Sequence, residues 1–579
     1  MLRLEVDSVA MPDSTPIPIR TIAAFMKLLT AVCAIPIVWS SAVYADDTVC
    51  VDWLAYKQRL HGADVGTHLK NGGVEAKELV FGRITVRTGD LFDLENDAEN
   101  AFINSAANAL HPSTRSITVF NALPFTEGER FSEEKLLEAE RLLREKRYLR
   151  EAVATPHRVC GDRVDVEVRT IDNWTLTPSV SVGSAGGNTR YAFEVQDLNV
   201  LGLGKELRFR SSRSNGDQET LFSYRDDNVL GSRYQFVAGL GDTDGNQSYN
   251  LEGGLPFYSA QAERAWWLSA QSETKALLGT SAQTDTDIPD RALEKSRYEL
   301  WTARKLKHSD FPVSRLGSGV RYTREKVLDS ELGEYLESAA DREELYPFIS
   351  AQWSQSRWIQ KQNYLGIRKT EDIDLGLSVT VEAGALLQGL GNDDDALRLE
   401  LDMSQGWYGG QSDLHKASLH QIHYFSGDGS NRKEISARYQ FFRWLSDVEQ
   451  LDIRLTGEMR EGFTAVERFA VGGADGLRGY PERFQMGDRR IIALAEYRHI
   501  TQWAPWSLAH VGFTGFVEAG RAWSDGEDAE TLVNAGVGLL LSPTRSSRAA
   551  VNRFDISVPL TDNNDIDAFQ LFVGTRLNF

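Results

Sequence analysis

From Trp174 onward the polarity of this 579-residue chain alternates with a period of two, segment after segment, up to Phe579. Leu397, Leu399, Leu401 and Met403 interleave with Arg398, Glu400 and Asp402. Ile435, Ala437, Tyr439 and Phe441 do the same with Ser436, Arg438 and Gln440, and Leu451, Ile453 and Leu455 with Asp452, Arg454 and Thr456. Side chains of a strand point alternately to opposite faces, so each segment offers one aliphatic and one charged face. A soluble sandwich alternates too, but its apolar face turns inward onto a finite core. A sheet closed into a barrel with lipid outside and water inside accommodates every segment. Alternating segments number nearer twenty than sixteen, and Asp- and Gly-rich spacers such as 241–246 and 391–395 separate them as turns. Trp266, Trp267, Trp301, Trp353, Trp358, Trp407 and Trp444 are candidates for interfacial girdles.

Hydropathy supports the same class. No run of eighteen or more apolar residues follows residue 45, which excludes a helical membrane protein. An apolar content of 41% is compatible with a membrane barrel, because half of each strand faces a polar lumen. The formal charge of −20 excludes a nucleic-acid partner, which needs a basic surface. Residues 26–45 join Lys27, an apolar centre and small residues around Val43 and Ala45, the pattern of a secretory signal peptide starting at Met26. A buried N-terminal helix is the alternative. Cys33 would leave with that signal, and Cys50 and Cys160 would remain in an oxidising compartment as a candidate disulfide. Closing so long a loop stabilises by up to about 4–5 kcal/mol; two free thiols are the other state.

Residues 46–80 read as an N-terminal extension, and a small domain follows over 81–172. F-G-R-I-T-V from Phe81 is a short strand, and Leu94–Leu110 is helix-like through Ala98, Phe102, Ile103 and Ala106. A second helix has Ser132 as its N-cap, with Glu133 and Glu134 at the positive end of its dipole. Leu136, Ala139, Leu142, Leu143 and Leu149 share one face of that stretch, and Arg141, Arg144, Lys146 and Arg147 cover much of the rest. Then V-A-T-P-H-R-V and V-D-V-E-V-R-T give two strands, the second half-buried through Val164, Val166 and Val168. The order β-α-α-β-β makes one α+β unit, and 173–579 is the barrel.

Three stretches carry a family resemblance. Val471–Tyr480 reads V-G-G-A-D-G-L-R-G-Y, Phe516–Gly520 reads F-V-E-A-G about forty residues on, and the chain ends on Phe579. With the preceding β-α-α-β-β unit, residues 81–579 resemble the BamA/TamA/FhaC superfamily of outer-membrane assembly and secretion barrels, also called the bacterial surface antigen family. The resemblance implies a mainly β fold: a periplasmic POTRA-like domain followed by a transmembrane antiparallel barrel of about sixteen strands, in a bacterial outer membrane. It further implies that Leu477, Arg478, Gly479 and Tyr480 lie on the sixth extracellular loop, folded back into the lumen. Arg478 would reach a wall carboxylate, here Glu518, in a motif shared with Phe516 and Gly520. The family motif carries Asp where this chain carries Glu518, one methylene longer. A guanidinium in a narrow lumen needs such a partner, and a carboxylate can pair with it bidentately. Glu496 and Arg498 in A-L-A-E-Y-R-H share a face and are candidates to support Arg478 in the lumen; ordinary lumen lining is the alternative. Phe579 would serve as the C-terminal assembly signal. One POTRA-like module fits before the barrel, which favours a dedicated or accessory translocator over a central assembly factor.

Enzyme chemistry finds no support: the chain has no G-x-S-x-G elbow, no phosphate loop and no C-x-x-C. His420 and His423 are an odd number apart on a strand and face opposite sides, a poor metal pair. No catalytic residue, metal or cofactor is expected. The leading expectation is a translocase or insertase for unfolded outer-membrane or secreted polypeptides, with outer-membrane lipid and accessory periplasmic proteins as further partners. The alternatives are an outer-membrane channel or porin and a surface-antigen scaffold.

Overall fold

The computed structural model describes residues 50–56, 79–92, 105, 108–109 and 111–575, the last range excepting 186–187, 215–216, 244–245, 278–290, 307–311, 328–341, 411, 464–467, 474–475, 506–507, 546–550, 562–565 and 567. The expected signal at 26–45, most of the extension, most of the helix-like stretch Leu94–Leu110 and the terminal Phe579 lie outside these residues.

The small domain contains β1 (Cys50–Asp52), β2 (Val80–Gly89), α1 (Ser116–Ala122), α2 (Glu133–Glu145), β3 (Leu149–Cys160) and β4 (Arg163–Asp172). The sheet order is β1-β3-β4-β2, with β3 antiparallel and β2 parallel to β4. Ser132 caps α2 by accepting from the Glu134 amide at 3.2 Å. Leu136, Ala139 and Leu143 of α2 bury against Phe81, Val166 and Val168 in one apolar core. α1 was not legible in the sequence: it is only seven residues long, has three consecutive β-branched residues (Ile117, Thr118, Val119) and lacks a side-chain cap. Cys50 and Cys160 are each disulfide-bonded.

The rest of the chain closes into an antiparallel barrel that runs from the strand Leu176–Ala185 to the strand Gln570–Thr575. Among the described residues the closed sheet has twenty strands, not about sixteen. The wall thus has more strands than the resemblance implied. The wall is polar inside and apolar outside. Leu268, Leu300, Ile349, Leu455, Val517 and Val537 stand exposed outward, whereas Arg321, Arg398, Asp452, Glu496, Glu518 and Asp555 are buried inward. No described helix is long and apolar enough to cross a membrane.

Antiparallel pairing of consecutive strands leaves connections alternating between two ends, here called near (the end carrying the small domain) and far. α1 is seated on two successive near-end turns of the same sequence, N-V-L-G at 199–202 and 228–231. The Arg115 amide and the Thr118 hydroxyl donate to the Gly202 carbonyl at 3.0 and 2.8 Å, and Asn228 Nδ2 donates to Asn121 O at 3.2 Å. Just after α2, Lys146 pairs with Asp227 at 2.9 Å. Among the described residues two connections hold hairpins of their own. At the near end Trp358–Gln362 pairs with Thr370–Asp374, and at the far end Phe469–Val471 pairs with Gln485–Gly487. The far-end connection follows fifteen wall strands and is therefore the eighth on its end rather than the sixth. Trp266 and Trp407 are exposed on the wall as girdle residues would be. Trp358 instead lies in the near-end hairpin beneath Arg141, and Trp444 donates to Gln362 O of the same hairpin.

Candidate functional site

The far-end loop turns back into the barrel because its backbone can make a bend that side chains would block. Gly472 has φ +128°, and a Cβ there would fall 2.1 Å from Pro481 O. Gly479 lies so close to the wall that a Cβ would meet Asn534 Cβ at 2.5 Å. Leu477 and Arg478 between these points, and Tyr480 just beyond them, are fully buried. Leu477 and Tyr480 pack with Val471, Phe484, Ile492, Ala522 and Leu532, an apolar cluster shared by loop and wall. The Tyr480 hydroxyl donates to Val533 O at 2.8 Å and accepts from Val533 N at 3.2 Å, clamping the loop to one strand.

Arg478 meets Glu518 on the barrel wall. Glu518 Oε1 accepts from Arg478 Nε at 2.7 Å, and Oε2 accepts from the Arg478 amide at 2.9 Å. Nη2 also approaches Oε1 to 2.7 Å as an ion pair but lacks hydrogen-bond geometry. The longer Glu side chain thus grips both guanidinium and backbone, while Asn534 Nδ2 donates to Oε2 at 2.8 Å from behind. The Phe516 ring lies 3.4 Å beneath Arg478 Cζ, so both outer positions of F-x-E serve the same guanidinium. Gly520 completes the fit, since a Cβ there would meet Leu477 Cδ1 at 3.1 Å.

The sequence reading missed a second partner. Arg478 Nη1 donates to Asp555 Oδ2 at 2.6 Å and stands 3.7 Å from Glu496 Oε2. Arg553 bridges these two carboxylates, at 2.6 Å to Glu496 and 3.1 Å to Asp555. Arg498 joins Glu496 to Asp452, and Arg454 pairs with Asp452 at 2.7 Å. Four arginines therefore face four carboxylates, Glu496, Glu518, Asp555 and Asp452, and the formal charge cancels. Cancellation is what allows so many charges to be buried together. Arg553 and Asp555 were legible only as one more alternating pair in N-R-F-D-I-S, indistinguishable from ordinary lumen lining.

The near-end hairpin reaches the same network from the opposite side. Its tip, 363–368, folds over Glu371, whose Oε2 accepts from the amides of Tyr364, Leu365 and Gly366 at 3.0, 2.8 and 3.2 Å. Tyr364 donates to Gln440 on the lumen wall at 2.6 Å, and its carbonyl accepts from Arg498 Nη1 at 3.2 Å. Ile367 packs with Ile500, Leu540 and Val551. One cavity of about 30 Å³, room for about one water, lies between the tip and Glu496, Arg498 and Arg553 of the network. Outside the lumen the hairpin is tied to α2: Asp372 accepts from Arg144 at 2.9 and 3.0 Å, and Arg141 lies 4.4 Å over the Trp358 ring.

Other expectations fare differently. His420 hydrogen-bonds Asp402 at 2.7 Å, and Glu400 lies close enough to complete a three-ligand set with them; His423 is not part of it. All three sit on open lumen wall, where acidic groups are common without a metal.

No family model matches the sequence, and no curated protein matches it significantly. Among solved structures, this chain is similar to BamA from Haemophilus ducreyi lacking POTRA domains 1–3, at 12% identity over 85% of this chain and 84% of that one, with a TM-score of 0.36. It is also similar to CdiB from Acinetobacter baumannii (12% identity, 86% and 74% coverage, TM-score 0.40) and to CdiB from Escherichia coli (13%, 85% and 75%, 0.42).

Proposed function

We propose that this chain is a bacterial outer-membrane translocase or insertase, whose small domain is a periplasmic POTRA-like receiver for unfolded polypeptide and whose barrel exports that polypeptide or inserts it into the membrane. The observation that carries the reading is the far-end loop held inside the lumen by Arg478. A loop anchored through a buried, charge-balanced network is a two-state element: it is docked with every charge paired, or it is out. A passive porin has no use for such a latch in its lumen. The inside-out polarity of the wall supports a membrane setting, with the near end periplasmic. The L-R-G-Y and F-V-E-A-G stretches support the resemblance to assembly and secretion barrels.

In this reading a client pairs its backbone with an open sheet edge of the small domain, a mode that ignores sequence and so suits unfolded chains. It then meets the near-end hairpin, which α2 grips through Arg144 and Arg141. Passage requires the two inserts to give way, and the Arg478 network biases the barrel to its closed state. The test is quantitative proteomics of outer-membrane and secreted fractions from a deletion strain complemented with wild type or Arg478→Ala. Loss of one or a few proteins, restored by wild type and not by the folded variant, is expected. Unchanged fractions with altered solute permeability would instead mark a channel.

A further inference from the structure

Two like charges stand side by side on the outward face of the wall. Arg264 begins the strand Arg264–Leu277, Arg304 lies next to the end of the strand Arg291–Lys305, and the two are direct cross-strand partners. Trp266 and Leu268 follow Arg264 at intervals of two and face Thr302 and Leu300, which precede Arg304 at the same interval. The exposed Leu268 and Leu300 mark this face as outward, and both arginines are exposed on it. Their level is the near end, because the connection before Arg264 touches the small domain: the Ala260 amide donates to Glu138 of α2 at 2.8 Å. Like charges directly opposite each other destabilise a sheet. Lumen arginines are met by carboxylates, Arg321 by Glu299 and Arg398 by Glu382. Among the described residues neither Arg264 nor Arg304 has an ion-pair or hydrogen-bond partner. Glu263, next in sequence, has the opposite parity.

Beside this pair begins an apolar trough of about 770 Å³, which runs from Trp266 and Thr302 past Leu300 and Val320 to Ile349 and Ala385. Trp266, Leu300, Val320 and Ile349 are exposed, and the short side chains of Ser318, Ala383 and Ala385 leave the depression between them. The Trp266 ring lies 6.0 Å from that of the exposed Tyr234. Such aromatic pairs sit where a bilayer passes from headgroups to hydrocarbon. The two arginines lie about 6–7 Å further along their strands toward the near rim, and the trough extends the opposite way. Cations, aromatic belt and apolar trough therefore follow one another in the order of a phospholipid's phosphate, glycerol and acyl chain. Guanidinium forks match phosphate oxygens, and one bridging anion turns the facing charges from a cost into a clamp. A free phosphate would use the arginines and leave the trough bare, whereas a lipid uses both.

We propose that Arg264, Arg304 and the trough form a site for one anionic phospholipid of the near-end leaflet, its phosphate between the two guanidinium groups and an acyl chain along Leu300 and Val320. The inference rests on the membrane setting of the proposed function and not on client transport. It is tested by native mass spectrometry of the purified full chain released from detergent micelles, titrated with phosphatidylglycerol or with phosphatidylcholine of identical acyl chains. The first phosphatidylglycerol should bind about tenfold tighter than phosphatidylcholine. Arg264→Gln/Arg304→Gln should weaken phosphatidylglycerol about tenfold and leave phosphatidylcholine unchanged. Ala383→Phe/Ala385→Phe, which fills the trough, should weaken both lipids. Heat-modifiable gel mobility checks folding, and the single variants Arg264→Gln and Arg304→Gln, each expected to weaken binding a few-fold, carry the test if the double variant misfolds. Equal binding of the two lipids, or phosphatidylglycerol binding untouched in folded arginine variants, would overturn the site. Displacement by glycerol phosphate, the headgroup without its chains, would mark a simple anion site and overturn the lipid one. The assay contains no client, so either failure leaves the translocase reading to the proteomic test.

Discussion

Two hairpins enter this barrel from opposite ends, and they are held by different physics. The far-end loop is fixed by charge: Arg478 is fully buried among Glu518, Asp555 and Glu496, with three further arginines balancing the account. The near-end tip is held by single hydrogen bonds and apolar packing: three amides on Glu371, the Tyr364 hydroxyl, one donation from Arg498 to the Tyr364 carbonyl and the contacts of Ile367. Removing one member of the first set leaves a buried charge unpaired, so that set fails as a unit. The second can yield bond by bond, each loss being modest. The far end therefore behaves as a latch and the near end as a hinge. Only the hinge is tied to the small domain, through Arg144–Asp372. A client arriving at the small domain would meet the compliant element first.

The largest effect that would sharpen this contrast is expected from Arg478→Ala. Loss of the guanidinium leaves Glu518 without a cation and Asp555 with Arg553 alone, destabilising the docked loop by about 3–5 kcal/mol. Hydrogen exchange should rise in 468–487 while the wall strands stay protected. Arg478→Lys should fall between, keeping the charge and losing the fork. If exchange rises equally at both hairpins, the two are one unit and the contrast fails.

A smaller effect is expected at the hinge. Glu371→Ala strips three amides of their acceptor and should loosen 359–374 by about 1–3 kcal/mol, read by the same exchange experiment. The far-end loop should be unmoved. Next comes Arg144→Gln, which should free the hairpin from α2 at a loss of about 1 kcal/mol. A cysteine pair placed across α2 and the hairpin would report it as slower cross-linking.

The smallest effect concerns pH. Burial works against the Asp227 charge, but Lys146 and Arg225 outweigh it and hold the carboxyl below its ordinary range. The docked small domain thus binds fewer protons than the undocked one. Its stabilisation is present above the usual carboxylate range and fades as pH falls through the lowered value. Acidification from about pH 7 to about pH 3 should weaken docking by no more than about 1 kcal/mol through this pair, followed by protection of α1. Asp227→Asn should remove that part of the pH dependence.

Much of this was legible in the sequence where the signal was periodic or covalently local. Alternation around Leu397–Met403 and Leu451–Leu455 located wall strands and their polarity, because a lumen and a lipid face impose period two on every strand. The pairing of Arg478 with Glu518 was legible only through the family resemblance that the strings around both residues carry. The near-end hairpin could not be read. W-I-Q-K-Q and T-E-D-I-D are short, polar and separated like any loop, and Trp358 looked like one more girdle residue. Nor could Asp555 and Arg553 be singled out, because their role comes from where a closed barrel brings its last strands opposite the loop. Closure is a non-local fact, and no window of sequence contains it.

The central claim is that Arg478 latches the far-end loop and keeps the barrel closed, and single-channel recording in planar bilayers tests it most directly. Wild type should show low conductance with rare openings, and folded Arg478→Ala should show larger or far more frequent ones. Indistinguishable traces from the two proteins would contradict the latch.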